Sequence, residues 1–99
     1  MIIKLVNRET EAELLLEGRM DAQTSVEAET VFLDMAERFD KLILNMEKLD
    51  YISSSGLRAL KRTHMAMVKK SGVLELKNVN KMVMEVFEMT GFVSLLRFV

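Results

Sequence analysis

The sequence predicts an α/β fold: a mixed sheet of four to five strands with an N-terminal hairpin, packed against three helices. Three observations predict it. Short apolar runs rich in β-branched residues alternate with longer segments whose apolar residues recur every three or four positions. The first two runs are separated by a few polar residues, as in a hairpin. The later runs are joined by helix-length segments, which favour parallel pairing through right-handed crossovers.

The elements follow in order. Ile2 to Val6 (IIKLV) reads as the first strand and Ala12 to Glu17 (AELLLE) as the second, with Asn7 to Thr10 as the turn. Gly18 closes the hairpin, and Gly18-Arg19-Met20-Asp21 leads into a loop. Thr24 or Ser25 caps a helix running to about Phe39, with Ala28, Val31, Phe32, Met35, Ala36 and Phe39 on one face. Lys41 to Met46 (KLILNM) is the third strand, and its unbroken Leu42-Ile43-Leu44 run predicts cover on both sides. Glu47 to Ser53 is the connection to a second helix from about Ser54 to Lys70, where Leu57, Leu60, His64, Met67 and Val68 share a face. Ser71-Gly72 breaks that helix and Val73 to Lys77 (VLELK) forms a fourth strand. A last helix runs from about Lys81 to Thr90 with Gly91 as C-cap, and Ser94 to Val99 is a short strand or extended tail.

Composition narrows the function. Ninety-nine residues, 49% hydrophobic and 29% charged, predict one globular domain spanning 1–99. Fourteen Lys and Arg against fifteen Asp and Glu give a net charge of -1, without the basic excess that phosphate-backbone binding requires. No nucleic-acid partner is expected, and no run approaches the roughly 20 apolar residues of a membrane span. The opening MIIKLVNRETE turns polar at Asn7, too early for a secretory signal, so a cytoplasmic protein is expected. Zero Cys and a single His leave no thiolate zinc site and no multi-histidine cluster. No metal and no cofactor are expected.

Functional loops of open α/β sheets gather at the carboxyl ends of strands. There the chain carries Asp50-Tyr51-Ile52-Ser53-Ser54-Ser55-Gly56-Leu57-Arg58, three hydroxyls and a Gly at a helix start. The first amides of a helix lack partners and its dipole is positive at that end, so anionic groups are favoured there. By chemistry alone, Ser53 or Ser54 is equally a plain helix cap. Arg58, Lys61 and Arg62 follow, either facing acidic groups on a partner or forming a solvated face, and Tyr51 is either a contact aromatic or half-buried packing.

The run Ser53-Ser54-Ser55-Gly56-Leu57 resembles the Asp-Ser-Ser-Gly-Leu signature of anti-sigma factor antagonists, the STAS domain family. Gly18-Arg19-Met20-Asp21-Ala22 is similar to the family's Gly-x-Leu-Asp segment, Leu42 to Met46 to its central strand, and Thr90-Gly91-Phe92 to its Thr-Gly-Leu. The resemblance implies a STAS-like fold and a bacterial partner-switching protein. Such a protein binds an anti-sigma factor that is also a serine kinase, frees a sigma factor, is released on phosphorylation and is reset by a serine phosphatase. The implied acceptor is Ser54, with Ser53 and Ser55 as neighbouring alternatives. Many members carry Asp where this chain has Ser53. Asp21 matches the family's other acidic position near the acceptor loop, unless it serves only an Asx-turn. The implied partner surface takes in Asp21, Asp50, Tyr51, Ser53, Ser54, Ser55, Gly56, Arg58 and Arg62, on a free protein expected to be monomeric.

Three rivals remain. One is an unphosphorylated interaction subunit of a signalling scaffold or lipid-transport complex. A second is nucleotide binding, because a Ser/Gly-rich helix start can hold phosphate. The third, a small serine hydrolase, is disfavoured. Ser54 and His64 lie ten residues apart on one helix, on the order of 15 Å, too far for proton transfer. No Gly-x-Ser-x-Gly elbow and no phosphate-binding Gly loop is present. The protein is therefore not expected to be an enzyme.

Overall fold

The alternation of strand-like and helix-like segments resolves into five strands and three helices in a computed structural model describing residues 1–99. They run β1 (Ile2–Arg8), β2 (Glu11–Met20), α1 (Thr24–Arg38), β3 (Lys41–Ile52), α2 (Ser54–Lys69), β4 (Val73–Lys77), α3 (Lys81–Thr90), a 3-10 turn (Phe92–Ser94) and β5 (Arg97–Phe98). The sheet order is β1-β2-β3-β4-β5, with β1 antiparallel to β2 and every other pair parallel. Each crossover steps one strand further in the same direction, so right-handed connections lay all three helices on one face.

That one-sided layering sorts the residues by row. Toward the helices, Leu5, Leu14, Leu44, Leu76 and Phe98 stand in register across the sheet. Leu14, Leu44 and Leu76 are fully buried beneath Phe32, Leu60, Met67 and Phe87 in one hydrophobic core. The next row, on the opposite face, is Val6, Glu13, Ile43, Glu75 and Arg97. No helix covers it, which corrects the expectation that β3 is covered on both sides by packed elements. Ile43 is nonetheless buried, standing between Glu13 and Glu75 in the register. Glu75 pairs with Lys41 at 3.3 Å and with Arg97 at 3.1 Å. Glu13 accepts from Asn45 at 3.0 Å and from Arg8 at 3.3 Å.

Four element expectations are also corrected. Gly18 does not close the hairpin. It lies inside β2 at φ 115°, beside an irregularity in the β2–β3 register, and the strand continues to Met20. Glu47 to Ser53 is mostly not a connection, because β3 pairs with β2 as far as Met20 opposite Ile52, and Leu49 and Ile52 are buried. Neither Thr24 nor Ser25 caps α1. The cap comes from Asp21, whose Oδ1 accepts from the amides of Gln23 and Thr24. Val68 lies outside the buried face of α2, 57% exposed, while Ala59 and Thr63 are inside it.

The termini follow local rules. α1 ends at Arg38 and α2 at Lys69, one residue short of the expected ends. Gly91 closes α3 in the left-handed region, φ 80°, as expected of a C-cap glycine. The tail forms β5, fastened by an edge-on contact of Phe98 with Phe87 at 5.3 Å between centroids.

Candidate functional site at the paired helix starts

Because β2 and β3 are parallel neighbours, α1 and α2 both begin at the same edge of the sheet. The Ser53 amide donates to the Met20 carbonyl at 2.8 Å, locking the start of α2 against the end of β2. Asp21 and Ser53 thus open two turns that lie side by side.

The three serines divide their work. Ser53 takes extended backbone angles and its Oγ accepts from the Gly56 amide at 3.2 Å, so Ser53 is the cap of α2. Ser54, the first residue of the helix, is exposed, and no hydrogen bond within the chain engages its hydroxyl. Ser55 is half-buried and its Oγ accepts from Arg58 at 3.2 Å. Capping by Ser53 leaves Ser54 presented to solvent beside amides that have no intrahelical acceptor.

Gly56 is required by packing, at ordinary helical angles. A Cβ there would lie 2.7 Å from Ile52 Cγ1 and 3.2 Å from Met20 Cβ. The missing side chain lets the first turn of α2 rest directly on the ends of β2 and β3.

Asp21 is engaged as an Asx cap and, at the same time, lies at the edge of the site. The Thr24 amide above all, with the Thr24 hydroxyl, the Gln23 amide and the charge of Arg19, holds its carboxyl below the ordinary Asp value, although loss of hydration pushes the other way. It is ionised at neutral pH. Tyr51 is 39% exposed with the Arg19 guanidinium 4.3 Å above its ring, a cation–π pair made possible because Arg19 and Tyr51 are partners across β2 and β3. Arg58, Lys61 and Arg62 are all exposed on α2, and Arg62 Nη1 donates to Glu29 at 2.6 Å.

Asp50 stands apart from this group. It lines a shallow depression with Asn80, Lys81, Met82 and Glu85 at the start of α3, whereas Ser55, Arg58 and Arg62 line the cleft between α1 and α2. Four contributors have roles that the sequence reading did not assign. Arg19 is found only through strand register, and Asn80 caps α3 while donating to the Leu49 carbonyl. Thr24 donates to the Arg19 carbonyl at 2.6 Å, tightening the turn. Ser25 falls three and seven residues before Ala28 and Phe32, a spacing that signals its inward position.

The family model for the STAS domain matches residues 4–99. BtrV of Bordetella bronchiseptica, named as a proposed anti-sigma factor antagonist, is 36% identical over 75 residues, covering 72% of this chain and 65% of that protein. Among solved structures, a proposed anti-sigma factor antagonist from Thermotoga maritima superposes with a TM-score of 0.89 at 13% identity, covering 97% of this chain and 84% of that one. The anti-sigma factor antagonist SpoIIAA, a Bacillus cell fate determinant, matches in its unphosphorylated form with a TM-score of 0.78 at 16% identity, over 99% of this chain and 87% of that one. Its phosphorylated form gives 0.77 at 17% identity, over 99% and 91%.

Proposed function

The chain belongs to the STAS domain family, and from that premise we propose that it is an anti-sigma factor antagonist, switched off by phosphorylation of Ser54. In this reading it is a cytoplasmic binding protein and not an enzyme. Its partners are an anti-sigma factor that is also a serine kinase and a serine phosphatase that restores the free hydroxyl, and it is monomeric between encounters.

The observation that carries the reading is the exposed, unengaged Ser54 hydroxyl at the first position of α2. Its neighbours cannot serve equally, since Ser53 Oγ is committed to the Gly56 amide and Ser55 Oγ to Arg58. Phosphate on Ser54 adds about -1.5 to -2 charges. The positive end of α2 tolerates that charge, so the fold survives. A partner docked over the same turn must instead desolvate the dianion beside the ionised Asp21. A penalty of about 3 kcal/mol weakens binding on the order of a hundredfold. SpoIIAA supports a switch without refolding, because its two forms resemble this chain to the same degree.

The test is labelling by a cognate anti-sigma serine kinase, with the phosphosite located by mass spectrometry. Phosphate is expected on Ser54, with Ser54→Ala unlabelled and Ser54→Asp unable to co-purify with the kinase. Equal labelling of Ser54→Ala refutes the assignment, and an unweakened Ser54→Asp complex refutes the switch.

A further inference from the structure

One face of α2 points away from the core along its whole length. Ser54, Arg58, Lys61, Met65 and Val68 follow one another at alternating four- and three-residue steps, which places them in a single stripe, and all five are exposed. At 1.5 Å per residue the stripe is about 21 Å long. Its second half is apolar. Met65 and Val68 are 58% and 57% exposed. With Leu95, 40% exposed after the 3-10 turn, they form a shallow groove of about 590 Å³ that Lys61, His64 and Lys69 also line. Large apolar side chains grouped in this way on a surface mark contact with another molecule.

The charge around the groove has one sign. No Asp or Glu occurs between Asp50 and Glu75, although the chain has fifteen, so α2 carries Arg58, Lys61, Arg62 and Lys69 with no acid of its own. Glu29 of α1 neutralises Arg62. Lys61 and Lys69 pair with no carboxylate of the chain. A segment that fits must therefore bring acidic groups for the two lysines and apolar ones for Met65, Val68 and Leu95. Alternating steps of four and three match the side of another helix, whose apolar residues recur at the same spacing. A helix can follow such a groove, and a flat bilayer cannot.

The stripe begins at Ser54, so it is continuous with the surface over which the proposed function docks a kinase. A stable interface covers about 800 Å² on each partner, far more than one helical turn, and must spread from there. On the reading that such a kinase is the partner, we propose that the stripe from Arg58 to Val68, with Leu95, is the docking groove for an acidic amphipathic helix of the anti-sigma serine kinase. The lysines steer and orient the encounter. Met65 and Val68 hold the complex once it has formed, methionine adapting its shape to what it meets.

The test is isothermal titration of the full chain against a cognate anti-sigma serine kinase without ATP, so that Ser54 stays unmodified. Met65→Ser and the double change Lys61→Glu with Lys69→Glu should each weaken binding about tenfold or more, and the double change should also flatten its dependence on salt. Lys4→Glu, on the edge strand β1, should leave the affinity unchanged. Every substituted side chain is exposed, so the urea midpoints should stay at that of the parent. Met65→Cys places a single thiol on a chain without cysteine. A photocrosslinker attached there should capture an acidic helical segment of the kinase. Parent affinity in Met65→Ser or in the double change, an equal loss in Lys4→Glu, or capture of a basic or extended segment overturns the groove and leaves the proposed function standing. A kinase that does not bind the parent overturns both. Flotation of the parent, but not of Met65→Ser, with phosphatidylserine vesicles assigns the face to a membrane and overturns the proposal.

Discussion

Replacing Gly56 by Ala tests whether the start of α2 is held by close packing on the strand ends or by helix propensity. Propensity alone favours Ala by up to about 1 kcal/mol within a helix. Packing opposes it, because the new methyl would sit 2.7 Å from Ile52 Cγ1, and Ile52 is a buried side chain with little room to turn. Overpacking of that kind costs about 1–3 kcal/mol. The sum is a destabilisation of roughly 0–2 kcal/mol, or several degrees in thermal midpoint for a domain of this size. Urea denaturation of the two proteins measures it. Ile52→Ala removes the clashing atom, so in that background Gly56→Ala should become neutral or stabilising. A Gly56→Ala protein more stable than its parent, or a cycle with zero coupling between the two positions, refutes the argument.

Ser53→Ala removes the cap of α2 and should cost about 1 kcal/mol in chemical denaturation, while leaving phosphorylation at Ser54 possible. Phe87→Ala empties the space between α3 and β5 and should cost about 3–5 kcal/mol, read as a large fall in midpoint. Glu13 predicts a pH dependence. The Asn45 side chain, then the charges and hydrogen bonds of Lys77 and Arg8, hold its carboxyl below the ordinary Glu value although burial pushes the other way. Its folded pKa is depressed, so its stabilising contribution is complete above the ordinary value and is lost as pH falls through the folded one. Asn45→Ala should raise the Glu13 pKa in an NMR titration and shrink this acid-limb loss; an unchanged titration refutes the assignment of Asn45 as the main cause.

The fold was legible where one physical signal dominated. Phe32 and Leu60 announced themselves by spacing, Leu44 by its unbroken apolar run, and Gly91 by the backbone conformation that α3 needs to stop. The misreadings share a cause. Glu47, Lys48 and Asp50 look like loop residues, yet they belong to β3 because register shifts in its pairing with β2 carry the ladder past a polar stretch. Glu13 and Glu75 sit at positions that local pattern marks as solvent-facing, and only pairing across three strands shows that Ile43 lies between them. At the candidate site, residue types pointed to the Ser53–Gly56 turn. The division of work among the serines required coordinates, since capping depends on which hydroxyl reaches the Gly56 amide.

The one-sided layering has a consequence for how such a site can be controlled. Every crossover moves the same way across the sheet, so the starts of α1, α2 and α3 gather at one edge, and their positive ends point the same way. A charge added at that edge meets an environment already arranged for anions, and the core beneath it is apolar and unaffected. A modification there changes what can dock without changing what folds. The same change at the outer face would strike the Glu13 and Glu75 lattices, where each added anion faces a carboxylate already buried. A reversible charge switch is compatible with stability at the helix-start edge, where Ser54 lies, and incompatible with it across the sheet's uncovered face.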